Sequence, residues 1–147
     1  MTTQIVIGIF VSLVNIVVHA LTTVIAIGIA RSAGQRMSFR PNLHLAGIMG
    51  ATASVLLASH TFEVFVWSLI YWLLGVAPAG ADLVYFAFVN YTTLGYGDVT
   101  PVRAWRLLGP MTAMNGVLMF GWSTAVLFEV LLKTIERYWS SPSSSRS

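Results

Sequence analysis

From Ile5 to Ala30 the chain carries no Asp, Glu, Lys or Arg, a stretch longer than the roughly 20 apolar residues needed to cross a bilayer. Hydrocarbon offers backbone N–H and C=O groups no water, so a run of this kind has to satisfy them internally as helix. Two more long apolar runs follow, Leu45 to Leu74 and Leu107 to Leu132, each interrupted by a single acid. The expected fold class is therefore an all-α membrane protein with three transmembrane helices. Composition agrees: of 147 residues 56% are hydrophobic and 9% charged, against about one-quarter charged in soluble domains. The net charge of +3 and pI near 9.7 do not point to nucleic acid, because the basic residues sit at the ends of the apolar runs. With no cysteine, disulfides and thiolate metal sites are excluded. A cleaved leader is the rival reading of the first run, with Val18-His19-Ala20 as a weak cleavage site. Met1-Thr2-Thr3-Gln4 lacks the basic start a leader needs, and the run is too long for one.

Charge placement sets an expected topology. Arg31 to Asn42 holds Arg31, Arg36 and Arg40 and no acid, which by the positive-inside rule faces the cytoplasm. Lys133 and Arg137 place the C-terminus on the same side, so the N-terminus is expected outside, with Arg103 and Arg106 on the outer face against the simple rule. Trp67, Tyr71 and Trp72 read as an interfacial anchor closing the second span before Gly75 and Pro78. Ala81 to Tyr91 is too short to cross and reads as a re-entrant helix, with Asp82 in its first turn where a negative charge suits the dipole. Its C-terminal end would then point partial negative charge at a cation in the bilayer interior. The chain divides into 1–44 (an extra N-terminal span and basic loop), 45–137 (the main membrane domain) and 138–147 (a serine-rich disordered tail). That length fits one membrane domain and leaves no room for a nucleotide-binding-sized regulatory domain.

After the short helix comes Tyr91-Thr92-Thr93-Leu94-Gly95-Tyr96-Gly97-Asp98. Gly and Asp are common in plain turns, and taken alone the segment would be read as one. Its position between membrane-length runs, with no Lys or Arg for phosphate, changes the reading. Gly95 and Gly97 at alternate positions allow left-handed backbone at little steric cost, which lets successive carbonyls face one axis. Thr93 would add a hydroxyl oxygen to that row and Thr92 would close the preceding helix. Tyr96 is expected to point off the axis and pack behind the loop, and Asp98 to put a carboxylate at the outer mouth that attracts cations.

These residues resemble the selectivity filter of the pore-loop ion-channel superfamily, in the form found in small prokaryotic potassium channels of the two-pore-domain type, here with a single pore loop per chain. There the carbonyls of four TVGYG loops replace the ion's hydration shell; Leu94 stands where that motif has Val. The resemblance covers about the C-terminal 90 residues. It implies an outer helix, a pore helix, a filter and an inner helix, with K+ held by Thr93, Leu94, Gly95, Tyr96 and Gly97. Tyr85 and Phe86 match the aromatic pair around the filter, Pro101 and Trp105 the outer turn, and Asn115 to Gly121 the inner-helix segment carrying a hinge glycine. Val89 replaces a glutamate that some members have behind the filter. No span carries arginine at every third position, so no voltage sensor of the usual kind is implied. One loop per chain implies a homotetramer in a cell membrane, the inner membrane in a bacterium, with permeant K+ and no cofactor; any cytoplasmic regulator stays open.

Other residues are weighed on their own chemistry. Gly116 and Gly121 in the third span are candidate gate or hinge positions or close-packing sites. Gly109-Pro110 lies early enough in that span to bend it at small cost. Asn115 is expected to face a water-filled cavity below the filter. His60 and Glu63, three apart and so on one face, are ionisable at a depth where such groups are costly. They are expected to bond each other, as a structural pair or as a pH-sensing modulator behind the pore. Asn15 and His19 are expected to dock the first span on its neighbours. No nucleophile–base pair, carboxylate pair or phosphate loop is present, so no enzyme is expected. The expected function is passive potassium conduction; the alternatives are a weakly selective cation channel and a non-conducting membrane subunit.

Overall fold

In a computed structural model, residues 1–35 and 40–140 are described, apart from the side chains of 138–140. They form four α-helices: α1 (Thr2–Gly34), α2 (Pro41–Leu74), α3 (Leu83–Tyr91) and α4 (Leu108–Ser140), with one 3-10 turn at Arg103–Trp105 before α4. α1, α2 and the segment containing α4 are each long and apolar enough to cross a membrane. Arg36 and the tail beyond residue 140 lie outside the described residues.

The helices overrun the boundaries that hydropathy suggests. α2 starts at Pro41, at its first position, where a missing N–H costs nothing and the fixed φ favours entry. α4 continues through Lys133 and Arg137 to Ser140, three residues into the segment expected to be unstructured, and carries an i,i+4 ion pair between Glu129 and Lys133. Hydropathy marks where the lipid ends, whereas helix propensity carries the backbone on. α2 ends at Gly75, left-handed at φ 61°, whose N–H returns to Trp72 and Tyr71. The N–H of Val76 also bonds Tyr71, the usual closure by a left-handed glycine. Asp82 is the N-cap of α3 and not a first-turn residue, its carboxylate accepting the Tyr85 N–H at 3.0 Å.

α1 packs on α2 and α4, while α3 is wedged between α2 and α4. The buried face of α1 is Gln4, Gly8, Val11, Asn15, His19, Thr23, Ala26 and Ala30, recurring every three or four residues. This inverts a soluble helix: small and polar residues meet the neighbouring helices, and Phe10, Leu13, Val17, Leu21 and Val24 face outward. Trp67 and Tyr71 are fully buried in the core with Phe86, Tyr91, Leu108 and Met119. The expected interfacial anchor is corrected accordingly, since of its three aromatics only Trp72 is exposed.

Candidate pore loop and the polar cluster behind it

α3 ends by turning tightly on itself. Thr92 N–H and Thr93 N–H reach the Phe88 and Asn90 carbonyls at 2.9 and 3.0 Å, and Leu94 N–H reaches Val89 at 3.0 Å. The Thr92 hydroxyl donates to Phe88 O at 2.7 Å, closing the helix. From there the backbone changes hand at each step: Thr93 lies at φ 61°, Gly95 at 59° and Gly97 at 78°, while Thr92 is at −80° and Leu94 and Tyr96 are not left-handed. A backbone that alternates in the sign of φ is suited to turning successive N–H groups to one side and carbonyls to the other. The two glycines take their left-handed positions freely. Thr93 was not foreseen there, because a β-branched residue at positive φ is a strained outlier. Leu94 is 53% and Tyr96 69% exposed, so within one chain the Tyr96 ring does not pack behind the loop as expected.

The loop is held from its Asp98 end and from below. The Tyr85 hydroxyl donates to Asp98 Oδ2 at 2.6 Å, and the Val99 N–H donates to the other oxygen at 3.0 Å. These hold the Asp98 carboxyl below the ordinary carboxylate range, the Tyr85 bond being the larger cause. Phe86 is buried against the Tyr71 ring at 5.1 Å. Asn90 donates to the Tyr71 hydroxyl at 3.2 Å, and that hydroxyl pairs with Thr112 at 2.6 Å. Val89 therefore leaves α3 well tied, through Asn90 and Tyr91.

On α4, Gly116 sits directly beneath the last carbonyl of α3. A Cβ there would overlap the Tyr91 carbonyl oxygen, whereas at Gly121 it would meet nothing within 4 Å. Gly116 is thus a close-packing position. Asn115 is turned into the helix packing: it is 3% exposed, and its Oδ1 accepts from Asn15 at 2.9 Å and from Trp67 Nε1 at 3.0 Å. A buried amide in an apolar bundle goes to the donors that need an acceptor, and two were within reach.

His60 and Glu63 belong to a larger cluster: their nearest N···O separation of 3.8 Å is within ion-pair range for a protonated His60 but longer than a hydrogen bond. Glu63, fully buried, takes His19 Nδ1 at 2.7 Å, the Ser59 hydroxyl at 3.0 Å and the Tyr91 hydroxyl in a very short contact. His60 instead bonds Tyr91 through Nδ1 and Ser123 through Nε2, both at 2.9 Å. Ser123 also meets His19 Nε2 at 3.2 Å. The helix period placed His60 and Glu63 on one face, but the partners come from α1, α3 and α4. His19 was readable as a docking residue, and its polarity in an apolar run was the signal. Nothing marked Tyr91.

Three spanning-capable helices around a short helix and a loop of alternating hand define an all-helical membrane protein. A family model described as "Ion channel" matches residues 59–133, and the chain belongs to that pore-loop ion-channel family. The match runs from the middle of α2 through α3 and the loop to Lys133, leaving α1 outside it. No curated protein and no solved structure gives a significant match. Family membership points to a transport role and not to chemical conversion.

Proposed function

We propose that the protein is a potassium-selective channel that conducts K+ passively through a pore made by four copies of the chain. The reading rests above all on the alternating hand at Thr93, Gly95 and Gly97, which suits a row of carbonyls to replacing a hydration shell. Thr93, Leu94, Gly95 and Tyr96 then hold the ion, with Gly97 completing the row and Asp98 attracting cations at the mouth. One strand cannot ring an ion, and the exposure of Leu94 and Tyr96 leaves faces for adjoining copies to cover. The chain would sit in a cell membrane with Arg31, Arg40, Lys133 and Arg137 on the cytoplasmic side, the N-terminus outside and the C-terminus inside.

The test is flux in liposomes carrying purified protein, under potassium and sodium gradients, with barium as blocker. Barium-sensitive flux favouring potassium is expected. Equal sodium flux would move the reading to a weakly selective cation channel, with Leu94 the residue to exchange for Val. A protein that assembles but passes neither ion at any pH would be a non-conducting subunit.

A further inference from the structure

The cluster behind the loop is a closed circuit. Glu63 meets His19, His19 meets Ser123, Ser123 meets His60, His60 meets Tyr91 and Tyr91 returns to Glu63, which makes five contacts around one ring. Each contact needs one hydrogen. Neutral His19, His60, Ser123 and Tyr91 supply one each, and an ionised Glu63 supplies none. The ring is therefore one hydrogen short unless it holds one additional proton. With that proton every contact has its one hydrogen. His19 Nδ1–H donates to Glu63, His19 Nε2–H to Ser123, the Ser123 hydroxyl to His60 Nε2, His60 Nδ1–H to Tyr91, and Tyr91 O–H back to Glu63. The proton rests on His19 or, shifted along the 2.7 Å contact, on Glu63. The cluster is then neutral in either form. That is the charge a bilayer interior favours, and with the proton on Glu63 all the donors run one way round the circuit, which strengthens it.

The ring joins all four helices at one place. His19 comes from α1, Glu63 and His60 from α2, Tyr91 from α3 and Ser123 from α4. α4 contributes only this hydroxyl and the flanking rings of Trp122, on His19, and Phe120, on His60; α3 contributes no ionisable group other than Tyr91. Ser59, a further neighbour of Glu63, has one hydroxyl hydrogen for two acceptors, Glu63 at 3.0 Å and Thr22 at 3.2 Å. The ligand atoms of His19, His60 and Glu63 lie within 4.8 Å of one another, but each already has a hydrogen-bond partner, so the group is complete with a proton. Tyr91 is the outlet: it is the last residue of α3, its carbonyl rests on Gly116, and the next residues are the loop.

We propose that His19, Ser123, His60, Tyr91 and Glu63 form a one-proton ring through which α1 positions the C-terminal end of the pore helix, so that losing the proton loosens the filter and reduces selective flux. The proposal deepens the channel reading and rests on it. It also makes Tyr91 and His19 positioning residues for conduction, although neither touches the ion.

Substitution at Glu63 gives a sharp test, because Glu63→Gln adds the missing hydrogen as an amide N–H. The ring then closes with every group neutral and nothing to lose. Potassium flux in liposomes should fall as pH is raised in the unaltered protein, by roughly tenfold, the order carried by one broken buried hydrogen bond. Glu63→Gln should keep its flux and lose that dependence. Tyr91→Phe should lose selectivity at every pH while still assembling. A flat pH profile in the unaltered protein, or a Glu63→Gln channel that fails as Tyr91→Phe does, would overturn the ring. A second readout does not depend on conduction. In the bilayer-embedded protein, nitrogen-15 NMR of the His19 and His60 rings, with the infrared carboxyl band of Glu63, counts the protons they share. The ring requires three among them at neutral pH. Two would overturn it whatever the flux, while three with no flux in any variant would keep the ring and remove the channel reading.

Discussion

Two stretches of the molecule meet at Tyr91 and are held in opposite ways. Behind it, Glu63, His19 and Asn15 have no exposed surface, and the ionisable side chains among them are bonded within the same chain. Ahead of it, Leu94 and Tyr96 stand more than half exposed on a backbone that changes hand at every step and includes a strained threonine. The closely packed region is polar at its centre, and the candidate pore loop is barely packed. The loop's shape is thus imposed at its ends, by the turn on Val89 and Asn90, by Gly116 beneath Tyr91 and by the Tyr85–Asp98 bond. What single-chain contacts leave open is available for neighbouring copies to fix.

The comparison predicts most damage where the two stretches join. Gly116→Ala would drive a Cβ into the Tyr91 carbonyl, a backbone atom with no rotamer to escape through. Overpacking of this kind costs roughly 1–3 kcal/mol or more, so we expect assembly and flux to be lost together, as read by size-exclusion chromatography and liposome flux. Gly121→Ala is the control, with nothing within 4 Å to displace; if it proved as damaging as Gly116→Ala, the packing account would fail. Next comes Gly95→Ala, which puts a side chain at φ 59° for roughly 1–2 kcal/mol. Its damage should be confined to the loop: tetramers intact, selective potassium flux gone. Persisting selective flux would contradict the filter assignment. Asn115→Leu acts on the packed region alone. It strands the Trp67 indole N–H and the Asn15 amide, and a stranded buried donor costs about 1–3 kcal/mol. Thermal stability should fall while potassium-over-sodium selectivity holds.

Much of this was legible in the sequence, for reasons that also mark the limit. The spans follow from charge-free length, and Gly95 and Gly97 from the need for left-handed backbone. The end of α2 followed from Gly75. What stayed hidden was which way polar residues face. Hydropathy cannot separate the lipid side of α1 from its buried side, because the buried side is made of Gly8, Asn15, His19 and Thr23 and the whole run is apolar on average. Asn115 read as cavity-lining and Trp67 as interfacial for the same reason. Each has a partner some 48 residues or more away in sequence, and no local period reports such a contact. Thr93 was missed in another way. Propensity forbids what it does there, so only the fold could reveal it.

The smallest effect belongs to the exposed Asp98 end of the loop. Asp98 is held below the ordinary carboxylate range, first by the Tyr85 hydroxyl and then by the Val99 N–H. A carboxylate with a lowered pKa stays charged above its folded value and is neutralised only as pH falls through it, so the attraction it exerts on cations at the mouth should persist into unusually acidic solution. Tyr85→Phe removes the larger of the two causes. The acid limb of potassium flux should therefore move up in pH, toward the ordinary carboxylate range, with little change near neutrality where Asp98 is ionised in both proteins. Because both side chains are exposed to solvent, the pair should show this shift best at low salt and lose part of it to screening as ionic strength rises. Should Tyr85→Phe instead lose selectivity at neutral pH as Gly95→Ala is expected to, the Tyr85–Asp98 bond would be holding the filter's shape, and the contrast between a packed rear and a lightly tethered front would have to be redrawn.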